Sequence, residues 1–264
     1  MDLGLEGKKA LVTAASAGLG LGAARALAEN GADVVICGRN EGRLAAAVAA
    51  LSPIGPAKIV GLIGDVAVPG EPERLVRDAE RAIGPLSILV VNAGGPRPGS
   101  ILDLSEEDWT AAYHLTLMSA VRLVRAALPG MAERRYGRIV FITSSSVKQP
   151  IDGLLLSNVF RAGVTGLAKT LAGEFGPAGI TVNSVCPGPY ETDRIGKLLA
   201  VRATKAGIDV DEERRRYVGG VPVGRFGQPI ELGRAVAFLA SDAAAFVNGA
   251  ALSVDGGSVK GIFG

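Results

Sequence analysis

The small-residue stretch Thr13-Ala14-Ala15-Ser16-Ala17-Gly18-Leu19-Gly20 lies between an apolar run, Ala10-Leu11-Val12, and an Ala/Leu-rich run from Leu21 to Asn30. A backbone this bare of side chains lets N–H groups at a helix N-terminus approach a pyrophosphate, and the helix dipole adds to the attraction. The same spacing equally suits a tight turn that binds nothing. Arg39 follows the next apolar run, Val34-Val35-Ile36-Cys37. Its planar fork can embrace a phosphate, and it can equally be a solvated loop arginine.

Those groups need elements to hold them. Ala10–Val12 and Val34–Cys37 read as buried strands, and Leu21–Asn30 reads as a helix stopped by Gly31,. Strand, turn, helix, strand is a βαβ unit with parallel strands and a right-handed crossover. The alternation continues. Helices are predicted over 41–51, 71–83, 105–128, 154–175 and 229–241, and strands over 58–63, 88–91, 138–143, 181–185 and 251–254. Ser105 and Asp108 have the spacing of a capping box. The charged segment 191–218 is predicted to be mostly helical and interrupted near Gly207. The fold class is therefore α/β: one Rossmann-like, doubly wound parallel sheet of about seven strands with helices on both faces, occupying residues 1–264 as a single domain,. In such a sheet ligands bind at the carboxyl ends of the strands. Thr13, Asp65, Asn92, Ser144 and Pro187 all fall there.

Composition excludes several classes. The formal net charge is only +2 and no aromatic-and-basic stripe occurs, so no nucleic-acid partner is expected,. The N-terminus lacks an apolar signal core and no apolar run reaches membrane-spanning length, so the expectation is a soluble, cytoplasmic protein without a membrane partner. Cys37 and Cys186 lack metal-ligand spacing and are expected to be buried free thiols, with no metal site.

Over nearly its full length the chain resembles the short-chain dehydrogenase/reductase family, and among its members the 3-oxoacyl-carrier-protein reductases and glucose-dehydrogenase-like enzymes. Thr13 to Gly20 is similar to the family's TGxxxGxG turn, and Asn92-Ala93-Gly94 to its NAG motif. Pro187-Gly188 with Thr192 is similar to PGxxxT, and Ser241-Asp242, Asn248-Gly249 and Val254-Asp255-Gly256-Gly257 to the C-terminal pattern. The resemblance implies a nicotinamide dinucleotide bound by Thr13, Ala15, Ser16, Gly18, Leu19, Gly20, Arg39, Asp65, Val66, Asn92, Ala93, Gly94, Pro187, Gly188 and Thr192. Asp65 and Val66 would line the adenine, Asn92 and Ala93 the adjoining ribose, and Thr192 the nicotinamide amide. Relatives that use NAD tend to carry an acid at the end of the second strand. Here Cys37-Gly38 offers none, and Arg39 suits a 2′-phosphate. NADP(H) is favoured, and NAD(H) stays open. Ala14 replaces the first glycine of the turn, and a positive φ there would strain alanine by about 1 kcal/mol or more.

By the same resemblance, family reductases use Asn, Ser, Tyr and Lys. Ser144 fits the serine. Thirteen residues on, the tyrosine position holds Ser157; four further, the lysine position holds Arg161; the asparagine position, seven after Trp109, holds Thr116. Ser157 and Arg161 share one helix face. A serine hydroxyl is a far weaker acid than a phenol, and arginine keeps its charge where lysine could relay a proton. The candidate catalytic residues are thus Ser144, Ser157, Arg161 and Thr116. Tyr190 and Lys148 are substitutes for the missing acid, each with a plainer reading as a pocket wall and a loop lysine. His114 is expected at a helix contact. Arg214 to Arg216, in a lid over about 190–221, could meet an acidic substrate or simply face solvent.

Two functions remain open. One is an NADP(H)-dependent oxidoreductase acting on a small carbonyl or alcohol, 3-oxoacyl-like, through a non-standard site. The other is a catalytically silent dinucleotide-binding sensor or partner subunit. The resemblance also implies a homotetramer or homodimer. The small residues Ala162, Gly163 and Gly166 either pair between subunits or pack on the protein's own sheet.

Overall fold

The computed structural model describes residues 2–262. Seven strands, β1 (Lys9–Val12), β2 (Asp33–Gly38), β3 (Ile59–Ile63), β4 (Ile88–Val91), β5 (Gly137–Ile142), β6 (Ile180–Pro187) and β7 (Ala251–Val254), form one parallel sheet in the order β3-β2-β1-β4-β5-β6-β7. Strands buried on both faces need helices on both sides. On one face α1 (Gly18–Glu29), α2 (Glu41–Leu51) and α9 (Pro229–Leu239) enclose a cluster around Leu27, Ile36, Val90 and Val236. On the other, α3 (Glu71–Ile83), α5 (Ser119–Glu133) and α6 (Leu155–Phe175) enclose Leu75, Leu89, Leu123 and Phe141. The winding reverses between β1 and β4, and the crevice beyond their carboxyl ends is where such a sheet takes a ligand.

Most predicted elements fall within a few residues of the observed ones, and the departures have local causes. Helix α1 begins three residues before Leu21, because Leu21 N–H already bonds the Ala17 carbonyl at 3.3 Å. The helix opened by the Ser105/Asp108 capping box does not stop at Leu128. It runs as α4 (Glu106–Ala112), a π-helical stretch Tyr113–Met118, and α5, which carries Pro129 inside it and ends at Glu133. This 28-residue run corrects the expectation about membrane-spanning length: it is long and apolar enough by composition alone. Its apolar residues Leu123, Val124, Ala127 and Leu128 are spent on the sheet instead. Segment 191–218 forms α7 (Asp193–Ala206) and α8 (Val210–Gly219), separated at Gly207 as predicted. Cys37 and Cys186 are buried free thiols, and burial pushes the Cys37 thiol up to about 11.

Candidate active site

A cleft of about 710 Å³ opens over the carboxyl ends of β1, β4, β5 and β6. That is within the usual size for a small-molecule site. Of the residues named from sequence, Gly18, Leu19, Asn92, Ala93, Gly94, Ser144, Ser157, Arg161, Pro187, Gly188 and Thr192 line it. Thr13, Ala15 and Gly20 are buried behind the turn, and Val66 is in the core beneath the sheet. Ser16, Arg39 and Asp65 lie outside the cleft lining; Arg39 is 74% exposed and reaches Asp65 at 3.5 Å.

The turn after β1 is stitched to the end of β4. Thr13 Oγ1 donates to the Asn92 carbonyl at 2.7 Å and accepts the Asn92 N–H at 2.9 Å. The Asn92 amide donates to the carbonyls of Thr13 and Ala14 at 3.2 and 3.0 Å. Gly20 makes this possible: a β-carbon there would lie 2.7 Å from both the Ala14 carbonyl oxygen and the Asn92 Nδ2. The result is a bare backbone cradle at the N-terminus of α1, which fits a diphosphate.

Ala14 has φ +46°, the left-handed region. The strain foreseen for alanine is therefore present, at about 1–2 kcal/mol. Ala14→Gly removes it but adds freedom to the unfolded chain worth about 0.4–1 kcal/mol. The expected net effect is a gain of roughly 0.5–1 kcal/mol, read as a higher urea midpoint at unchanged slope. An unchanged or lower midpoint would contradict the strained turn.

At the other end of the cleft, Ser144 follows β5 and caps a short 3₁₀ turn, Ser145–Val147; its Oγ accepts the Ser146 N–H at 3.0 Å. With that lone pair engaged, the hydroxyl proton is left to donate into the cleft. Ser157 and Arg161 stand one turn apart on α6. Ser157 is buried, and Arg161 Nη1 donates to the carbonyls of Ile142 and Thr143, each at 3.0 Å. Desolvation first, and the nearby Arg194 second, push the Arg161 guanidinium down to about 10. It is still a cation at neutral pH. Thr116 is buried at the π-helical stretch, its Oγ1 without a hydrogen-bond partner, and it shares a small second cavity with Ser119, Phe141 and Arg161.

The proposed substitutes for the missing acid are placed otherwise. The Tyr190 hydroxyl donates to the Val254 carbonyl at 2.9 Å, and burial raises its pKa, so it is a wall of the cleft and not a proton source. The cleft lining takes in Gln149 rather than Lys148. His114 is half-buried within that long helical run, its Nδ1 3.4 Å from Arg122 two turns on and its ring edge-on to Tyr113; both partners lie on its own helix. Arg214 is spent on Glu191 and the Phe226 ring, and Arg216 on Glu212. Sequence reasoning missed Arg194, which lines the cleft in place of those arginines, along with Lys197, Leu198 and Tyr217. The signal available was position: Arg194 comes two residues after Thr192, in the first turn of α7.

A family profile described as enoyl-(acyl carrier protein) reductase matches residues 13–259. The chain is 38% identical over 263 residues to a D-beta-hydroxybutyrate dehydrogenase of Cupriavidus necator, covering 97% of this chain and 99% of the relative. It is 36% identical to the 3-oxoacyl-[acyl-carrier-protein] reductase FabG of Escherichia coli, covering 97% and 98%. The crystal structure of L-sorbose reductase from Gluconobacter frateurii, complexed with NADPH and L-sorbose, superposes with a TM-score of 0.94 at 33% identity, covering 99% of this chain and 100% of that one. The chain belongs to the short-chain dehydrogenase/reductase family, and it is an oxidoreductase of that type.

Proposed function

We propose that the protein reduces a small carbonyl compound to an alcohol, or runs the reverse, with NADP(H), through a site in which Ser144 and Arg161 do the work a phenol does in its relatives. The carrying observation is that Ser144, whose Oγ accepts the Ser146 N–H and so keeps its own proton to donate, lines the same cleft as Arg161 and the diphosphate cradle,. When bound, the cofactor supplies the hydride. The Ser144 hydroxyl polarises the substrate carbonyl, and the Arg161 cation stabilises charge developing on its oxygen. The Ser157 hydroxyl passes a proton from water, and Thr116 supports Arg161 from the adjoining cavity. NADP(H) over NAD(H) is supported by Arg39, an exposed cation directly after β2, where Cys37-Gly38 offer no acid, and by the NADPH in the sorbose reductase crystal. A 3-oxoacyl-like substrate is supported by the named relatives.

The protein works as a single domain whose segment 190–221 is a substrate lid; α7, α8 and the loop after them bring Leu198, Tyr217 and Val221 to the cleft. Its two unpaired cysteines fit the reducing cytoplasm,. It assembles as a homotetramer or homodimer: Ala162, Gly163 and Gly166 are exposed rather than packed on the sheet, and Leu252 is exposed on the edge strand β7. Parallel calorimetric titrations with NADPH and NADH test the cofactor. Tight NADPH and weak NADH binding supports the reading, and the reverse order overturns the role of Arg39.

A second reading, a dinucleotide-binding protein without turnover, is favoured by one observation: the phenol position holds a buried serine. Carbonyl reduction by the natural protein contradicts it. Activity that appears only in the double variant Ser157→Tyr/Arg161→Lys establishes it.

A further inference from the structure

Arg43 lies in the first turn of α2, and Asp193 opens α7. Arg43 Nη2 donates to Asp193 Oδ2 at 2.8 Å, joining residues 150 apart in the chain, and both side chains line the cleft. Helix α2 rises from β2 and α7 from β6, with β1, β4 and β5 between those two strands. Four strand spacings come to about 19 Å. The chain from Gly188 to Asp193 therefore crosses the carboxyl ends of three strands before the ion pair fastens it on the far side.

Contacts along the way show where this stretch lies. A β-carbon at Gly18 would fall 3.5 Å from Thr192 Cγ2, so the stretch rests on the rim of the diphosphate cradle. A β-carbon at Gly95 would fall 1.2 Å from Arg194 Nη1, so the first turn of α7 also covers the loop after β4. Each partner of the pair stands on a capped helix start. Asn40 Oδ1 accepts the Arg43 N–H at 2.8 Å, and Thr192 Oγ1 accepts the Ile195 N–H at 3.4 Å. The α7 dipole favours a carboxylate at Asp193, whereas the α2 dipole disfavours a cation at Arg43. The Asp193 carboxylate offsets that cost. Among the described residues no other ion pair or side-chain hydrogen bond joins α2 to segment 190–221.

We infer that Arg43 and Asp193 form a latch that holds the start of α7 across the cofactor cleft, so that the pair sets how fast a dinucleotide enters and leaves. This rests on the dinucleotide reading above. Both are positioning residues, acting through the strap that they fasten and not on the reacting atoms. Their side chains are 63% and 69% exposed. Such pairs are weak and screened by salt, which suits a fastening that must open whenever cofactor is exchanged.

Stopped-flow mixing with NADPH, and displacement of bound NADPH by excess NADP⁺, read the two rates by nicotinamide fluorescence without any turnover. A latch that fastens alike before and after binding slows both directions and leaves Kd in place. Arg43→Gln and Asp193→Asn should each raise both rates about threefold, the swing an exposed pair can supply, with Kd almost unchanged. The double variant should do no more than either single one, because both remove the same contact. At about 1 M salt the natural and variant rates should converge. Natural rates in both single variants, with NADPH still bound, overturn the latch alone. Weaker NADPH binding in Arg43→Gln, with NADH binding untouched and NADPH tightened in Asp193→Asn, also overturns it and assigns Arg43 to the 2′-phosphate. Failure of the natural protein to bind either nucleotide overturns the dinucleotide reading and the latch together.

Discussion

Replacing Ser144 with alanine is expected to lower kcat for carbonyl reduction by about 100-fold or more, the usual consequence of deleting one preorganised donor to a developing oxyanion. The fold should be indifferent to it. The side chain makes one local bond, from the Ser146 N–H, in a 3₁₀ turn that Val147 N–H to the Ser144 carbonyl also holds. KM and NADPH affinity should stay within a few-fold, because the hydroxyl contributes as charge develops and less to ground-state binding. The check is steady-state kinetics beside calorimetry on the same preparation. An unchanged kcat would remove Ser144 from the chemistry and leave Arg161 as the sole electrophile.

The second large effect is on stability. Gly22 of α1 meets α9 backbone to backbone: a β-carbon at Gly22 would lie 2.3 Å from the Pro229 carbonyl oxygen and 2.5 Å from its carbon. The contact is reciprocal, since a β-carbon at Gly233 would lie 2.1 Å from the Gly22 carbonyl oxygen. No rotamer relieves a clash with main chain. Gly22→Val must therefore push α9 away from the buried face of α1, with Ala23, Ala26 and Leu27 losing contact. A loss of about 3 kcal/mol or more is expected, beyond ordinary overpacking because backbone has to move. For a chain of this size that is a fall in Tm of roughly 6–12 °C. Gly173→Ala in α6 is the control, since nothing lies within 4 Å of its β-carbon. It should leave Tm level or raise it slightly.

The fold was legible because its grammar is local. Apolar runs such as Ile88–Val91 end in turn residues, and Ser105 with Asp108 announces its own helix. The register of Ser157 and Arg161 on α6 followed from the small-residue run after them. What remained hidden depended on distance across the sheet. Beyond its place just after Thr192, nothing in Arg194 distinguishes it from Arg214, yet one lines the cleft and the other is neutralised by Glu191. Tyr190 read as available, but its hydroxyl donates to the Val254 carbonyl, 64 residues away. The continuation of α5 through Pro129 was hidden for the opposite reason. A strong local stop signal was overridden by burial of Leu128 and Met131 in the core.

The bonds between Thr13 and Asn92 join residues 79 apart in the chain. During synthesis at about 5–20 residues per second, β1 therefore waits several seconds to more than ten before its second neighbour exists. In that interval β1 is an edge strand with apolar faces, a template for mispairing. The loop that must close is long, and its entropy is spent before any contact in the cradle forms. A dinucleotide cannot shorten this wait, because the surface it would grip is absent until β4 arrives. Its help comes afterwards, by mass action on the finished fold: about 2.7 kcal/mol at a free concentration of 100 times Kd. The nascent N-terminal third of this chain is thus the part most dependent on being shielded while it emerges, and the nucleotide pool governs only how long the completed molecule lasts.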